Sequence, residues 1–110
     1  MSRLIVMSKT TTVKQVNLRD GVASSIGRDE HCDVVISAPQ ASRRHAEIRV
    51  DGDTAMVRDL GSSNGTFVNG RRIQQHELRH GDILAVGGCE IRYLASVRVS
   101  QPSELLELVG

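Results

Sequence analysis

Three short segments of the sequence combine arginine with small polar residues and glycine: Gly27-Arg28-Asp29, Ser42-Arg43-Arg44-His45 and Gly61-Ser62-Ser63-Asn64-Gly65-Thr66. A guanidinium presents a planar fork of donors that meets two oxygens of a carboxylate or phosphate at once. Serine hydroxyls and loop N–H groups add further donors. Of the 14 Lys and Arg residues, only Lys9 and Lys14 are lysine, so the basic chemistry is almost entirely of this forked kind. Against 13 Asp and Glu the formal net charge is +1, so no global field draws the chain onto nucleic acid or anionic lipid. Any anion recognition must be local.

Two other constellations have the residue types of catalysis. Ser42 and His45 could be a nucleophile and its base, but they lie on a loop running into a strand and have no third partner. A hydrogen-bonded structural histidine is the expectation. His76-Glu77-Leu78-Arg79-His80 is a literal H-E-x-x-H, which holds zinc when helical spacing puts both imidazoles on one face. Here it is confined between turn signals at Asn69-Gly70 and Gly81-Asp82, with room for barely two helical turns. The glycine-rich stretch from Gly61 to Gly70 lacks the Gly-Lys-Ser/Thr ending of a P-loop. His31 and Cys32 are too few for a metal site, and Cys32 and Cys89 too few for a disulfide framework.

The elements that must position these loops are strands. The chain has 110 residues and a mass of 12.0 kDa, enough for one domain. Hydrophobic residues make up 39% and charged residues 25%, as in ordinary soluble domains. The aromatic fraction is 2%, Phe67 and Tyr93 alone, which excludes a surface that stacks nucleobases. Apolar bursts separated by turn signals predict strands near 4–8, 13–18, 22–27, 34–37, 45–50, 54–59, 66–68, 72–73, 83–86 and 90–94. Asp51-Gly52 and Asn69-Gly70 are read as hairpin turns, and Thr10-Thr11-Thr12 as part of the first hairpin. About ten strands in this length imply an all-β sandwich. The domain is expected over 1–98. Residues 99–110 read as a tail or linker, in which Ser103 could cap a short helix carrying Leu105, Leu106, Leu108 and Val109. The apolar run at 4–7 is too short for a secretory or membrane segment, so a cytoplasmic protein is expected.

The order and spacing of the three segments, followed by Phe67-Val68-Asn69-Gly70 and Gly81-Asp82-Ile83-Leu84, closely resemble the forkhead-associated (FHA) domain pattern over residues 4–95. The resemblance implies an eleven-stranded β-sandwich whose loops at one end bind a phosphothreonine peptide, with no cofactor or metal and no enzymatic activity. By that resemblance Arg28, Ser42, Arg43 and Ser63 would contact the phosphate. Asn64 would hold the peptide backbone, and Gln40 would face the third residue beyond the phosphothreonine. Gly27, His45, Thr66, Asn69 and Gly70 would support the site. The segment with His76 and His80 would be an extended connection, with Leu78 packed inward. The implied partner is a phosphothreonine-containing protein of a serine/threonine kinase pathway, without nucleic acid and without membrane insertion. A phosphate-independent interaction domain is the alternative within the fold, and a zinc hydrolase using His76-Glu77-x-x-His80 the alternative outside it.

Overall fold

The computed structural model of the chain describes residues 2–7 and 13–95. The expected turn at Thr10-Thr11-Thr12 and the expected tail from residue 99, including its helix at 103–109, lie outside the described residues. Within them, alternation of side chains sets the architecture. In Ala46–Asp51, the residues Ala46, Ile48 and Val50 are buried while Arg49 and Asp51 face water, the period of two that a strand with one wet face requires.

Eleven strands result: β1 (Arg3–Met7), β2 (Val13–Asn17), β3 (Ala23–Gly27), β4 (Val34–Val35), β5 (Ala46–Asp51), β6 (Thr54–Asp59), β7 (Thr66–Val68), β8 (Arg71–Ile73), β9 (Gln75–Leu78), β10 (Ile83–Val86) and β11 (Cys89–Leu94). They form a six-stranded sheet ordered β2-β1-β11-β10-β7-β8 and a five-stranded sheet ordered β4-β3-β5-β6-β9. All pairings are antiparallel except β3 with β4, where Ile26 faces Val34. The inner faces of both sheets supply one core, with Leu4, Ile26, Ile48, Val57, Leu84, Val86 and Ile91 fully enclosed. This is the all-β sandwich that the sequence implied.

Local corrections have physical causes. The β5–β6 hairpin turns on Gly52-Asp53 and not on Asp51-Gly52, because Asp51 still pairs with Thr54. Gly52, at φ 61°, is the first central residue of a two-residue loop. Asn69-Gly70 closes β7 onto β8 as expected, both residues at positive φ. The segment read only as extended contains a full strand, β9, whose Gln75, His76 and Glu77 are exposed and whose Leu78 is buried. A sheet-edge strand with one apolar residue has no apolar rhythm to betray it. Its extended backbone also disposes of the helical H-E-x-x-H: His76 lies within β9 and His80 in the turn beyond it, so the helical spacing that would put both imidazoles on one face is absent. Among the described residues, no group of three or more His, Cys, Asp or Glu is gathered to hold a metal.

Candidate functional site

Arg28 follows directly on the last residue of β3, Gly27, and two backbone hydrogen bonds dock this turn on the loop before β5. Arg28 N–H donates to Ser42 O at 3.0 Å and Asp29 N–H to Arg43 O at 3.1 Å. The approach is so close that a Cβ on Gly27 would stand 2.0 Å from Arg43 O. Only glycine fits there, and any larger residue forces the two loops apart. The buried Cys32 thiol also donates to Arg43 O, at 3.2 Å. Arg28 Nε–H donates to Ala41 O at 3.2 Å, which fixes the guanidinium plane and leaves its terminal nitrogens for a ligand. Arg28, Asp29 and Arg43 line an open concavity of about 250 Å³. Asp29 is an acidic member of that wall. Hydrogen bonds from the backbone N–H and the ring of His31 hold its carboxyl below the usual range.

The other half of the site hangs on His45, whose ring is fully enclosed. Ser42 N–H donates to its Nδ1 at 3.0 Å, so the proton of the neutral ring sits on Nε2 and is donated to Gly65 O at 2.8 Å. The ring therefore bolts the loop of Ser42 to the loop before β7. It meets the backbone of Ser42 and not the hydroxyl, an arrangement for support and not for a nucleophile and base. The Ser42 hydroxyl oxygen instead accepts from Ser63 N–H at 3.2 Å, which leaves its own proton to donate outward. Asn64 Nδ2–H donates to Gln40 O at 2.7 Å, a third tie between the same loops. Gly87, in the turn between β10 and β11, packs against Ala41 from behind, where an added Cβ would stand 2.5 Å from Ala41 N.

Residues 60–65 are shaped by a carboxylate that the sequence analysis passed over. Asp59 Oδ2 accepts the N–H groups of Gly61 at 3.0 Å and Ser62 at 3.1 Å. Its Oδ1 accepts the hydroxyls of Ser62 and Thr66. Thr66 is tied to this loop through Asp59. The signal was present as Asp59-Leu60-Gly61-Ser62, an Asp followed by turn residues whose N–H groups it can collect. Burial pushes the Asp59 carboxyl up, but the hydrogen bonds from Ser62, Thr66 and Gly61 outweigh it and the net shift is downward from 3.8. A carboxylate depressed in the folded state stabilises fully above its unfolded pKa and loses that contribution as the pH falls through the folded value. The Asp59 contribution is therefore present well above pH 3.8 and is lost progressively as the pH falls below 3.8 and through the lower folded value. Thermal midpoints measured from about pH 6 down to about pH 2 should fall less steeply for Asp59→Asn than for wild type. Parallel curves would show that this carboxylate does not hold the loop.

Arg28, Gln40, Ser42, Arg43, Ser63 and Asn64 thus come together at one end of the sandwich, with Gly27, His45 and Thr66 beneath them. Asn69 and Gly70 do not join them: they follow β7, whereas the site precedes it. There Asn69 Oδ1 accepts Ile83 N–H at 2.9 Å and its amide donates to Asp82 at 3.0 Å, joining the β7–β8 hairpin to β10.

The family model for the FHA domain matches residues 24–87, more than half of the chain and including every residue of this loop cluster. The chain belongs to the FHA family. It is 42% identical over 74 residues to the FHA domain-containing protein FhaA of Mycobacterium tuberculosis, covering 67% of this chain and 14% of FhaA. It is 33% identical over 93 residues to the glycogen accumulation regulator GarA of Mycolicibacterium smegmatis, covering 84% of this chain and 59% of GarA. The chain therefore spans less than two thirds of either relative. A solved structure from an analysis of phosphothreonine-dependent FHA domain interactions superposes with a TM-score of 0.78 at 34% identity, covering 87% of this chain and 97% of that one. The FhaA FHA domain, solved in complex with the intracellular domain of Rv3910, gives a TM-score of 0.75 at 34% identity, covering 84% of this FHA chain and 99% of that one. No helix among the described residues is long and apolar enough to cross a membrane.

Proposed function

We propose that this FHA domain is a non-enzymatic, cytoplasmic module that binds phosphothreonine in a partner protein and so turns the output of a serine/threonine kinase into recruitment. The domain proper would span 1–98, with 99–110 as tail or linker. One observation carries the reading: the Arg28 guanidinium is anchored through Nε alone beside a concavity it shares with Arg43. Its terminal nitrogens form a fork for a dianion with three acceptor oxygens. Ser42, whose hydroxyl proton is left to donate, and Ser63 at the neighbouring loop tip complete the phosphate contacts. Asn64 keeps one amide N–H and its carbonyl for the peptide backbone, and Gln40 faces a residue further along the peptide. No cofactor takes part. Two relatives support the reading by name: the structure concerned with phosphothreonine-dependent interactions and the regulator GarA.

Calorimetry on three peptides of one sequence tests it, carrying phosphothreonine, phosphoserine or unmodified threonine, with the sequence chosen from an oriented phosphothreonine library. Charge-assisted hydrogen bonds contribute about 1.5–3 kcal/mol each, so removing the phosphate should weaken binding by about a hundredfold or more. In FHA domains the threonine methyl enters a small pocket, and one buried methyl adds about 0.8 kcal/mol. Phosphoserine should bind several-fold more weakly than phosphothreonine. Equal affinity for the phosphorylated and unmodified peptides would replace this reading with that of a phosphate-independent interaction domain.

A further inference from the structure

Arg72 lies in β8 opposite Phe67 of β7, and its side chain runs across β7 onto Gly65 at the binding end. A Cβ on Gly65 would stand 2.7 Å from Arg72 Nε, 3.1 Å from Cζ and 3.3 Å from Cδ. The guanidinium thus fills the space that a side chain at residue 65 would take, next to Asn64. The shelf beneath it is fixed from both sides, since Gly65 N–H donates to Ser62 Oγ at 3.0 Å and Gly65 O accepts from His45. Glycine is favoured there by φ 87°, and the arginine occupies the space its missing side chain leaves.

The arginine is exposed, and the ion pairs among the described residues, His31–Asp29, Arg49–Asp51 and Arg58–Glu47, do not include it. The carboxylates of the binding loops have other partners: Asp29 meets His31, and Asp59 accepts four donors of its own loop. Arg72 is also not part of the wall of the concavity, which consists of Arg28, Asp29 and Arg43. A cation held on a rigid shelf outside the phosphate pocket, beside the asparagine that faces the peptide backbone, suits a second anion on the same ligand.

We infer that Arg72 pairs with an acidic side chain flanking the phosphothreonine on the side that Asn64 faces, so that the ligand class is an acidic phosphothreonine peptide. This rests on the phosphothreonine reading above. It concerns a different peptide position from the one facing Gln40, a side chain that carries no charge to select an acid.

The test compares phosphothreonine peptides in which each flanking position in turn is Glu or Gln, titrated into wild type and Arg72→Gln, with thermal midpoints as a folding control. An exposed ion pair of this kind corresponds to a preference of about two- to five-fold. Wild type should show it for Glu at one flanking position, and raised salt should shrink it. Arg72→Gln should bring the ratio to about one while binding still requires the phosphate. The inference is overturned if no flanking position prefers Glu on wild type, or if the preference survives Arg72→Gln. A uniform loss for the Glu and Gln peptides would also overturn it and assign Arg72 to the phosphate. Wild-type binding that ignores removal of the phosphate would overturn the parent reading, and this one with it.

Discussion

Arg28→Ala is expected to weaken binding of a matched phosphothreonine peptide by at least about a hundredfold while the domain stays folded. The size follows from what the side chain supplies: a fork of two charge-assisted donors, each worth about 1.5–3 kcal/mol, directed at the charged group of the ligand. Arg43 shares the concavity, so the remaining charge should leave weak residual binding that falls further as salt rises. Folding should change little. The side chain is exposed and its one intramolecular hydrogen bond is to Ala41 O, a contact whose loss costs about 1 kcal/mol. The backbone N–H of residue 28 still meets Ser42 O in the variant. Calorimetric binding and a thermal melt on the same preparation separate the two effects. A folded Arg28→Ala domain with wild-type affinity would remove Arg28 from the site.

Arg28→Lys sharpens the same experiment. Lysine keeps the charge but has no fork and no Nε–H to reach Ala41 O, so it should recover only part of the lost affinity. Full recovery would mean that the site reads charge without geometry.

How much of this was legible in the sequence depends on whether a residue acts through its own type or through its neighbours. Alternation in β5 and β6 and the Asn69-Gly70 turn were readable because each is a local pattern with a local cause. Gly27, Arg28, Ser42 and His45 were readable because the spacing of the segments resembles that of a known family. Asp59 was missed because it was read as the last residue of a strand; its bonds to Gly61 and Ser62 follow from a local turn signal, and only the bond from Thr66 needs the folded loop. Arg72 was missed for a different reason. Its register opposite Phe67 was foreseeable from the hairpin, but not that its side chain would turn onto Gly65 at the far end of β7. Asn69 and Gly70 close the β7–β8 hairpin as their dipeptide implied, and Asn69 ties that hairpin to Asp82 and Ile83. β9 shows the limit of apolar rhythm, since its neighbours supply the pairing and it contributes only Leu78 to the core.

His45→Ala is expected to produce the largest loss of stability of any substitution at the site. The imidazole is enclosed, and its two nitrogens satisfy Ser42 N–H and Gly65 O. Alanine leaves both groups without partners, at about 1–3 kcal/mol each, and opens a cavity besides. A total of about 3–5 kcal/mol is a large share of the 5–15 kcal/mol that typically holds a domain together. For a domain of this size it corresponds to a drop in melting temperature of more than about 12 °C. His45→Asn distinguishes a bolt from a filler. Its side-chain oxygen lies where Nδ1 did and can still accept from Ser42 N–H, while nothing reaches Gly65 O, so its melting temperature should fall between those of wild type and His45→Ala. Phosphopeptide affinity should follow the same order, because Ser42 and Ser63 lie on the loops that the ring joins. A His45→Ala domain that melts within a few degrees of wild type would show that the loops are held by Asp59 and the Gly27 contact without the imidazole.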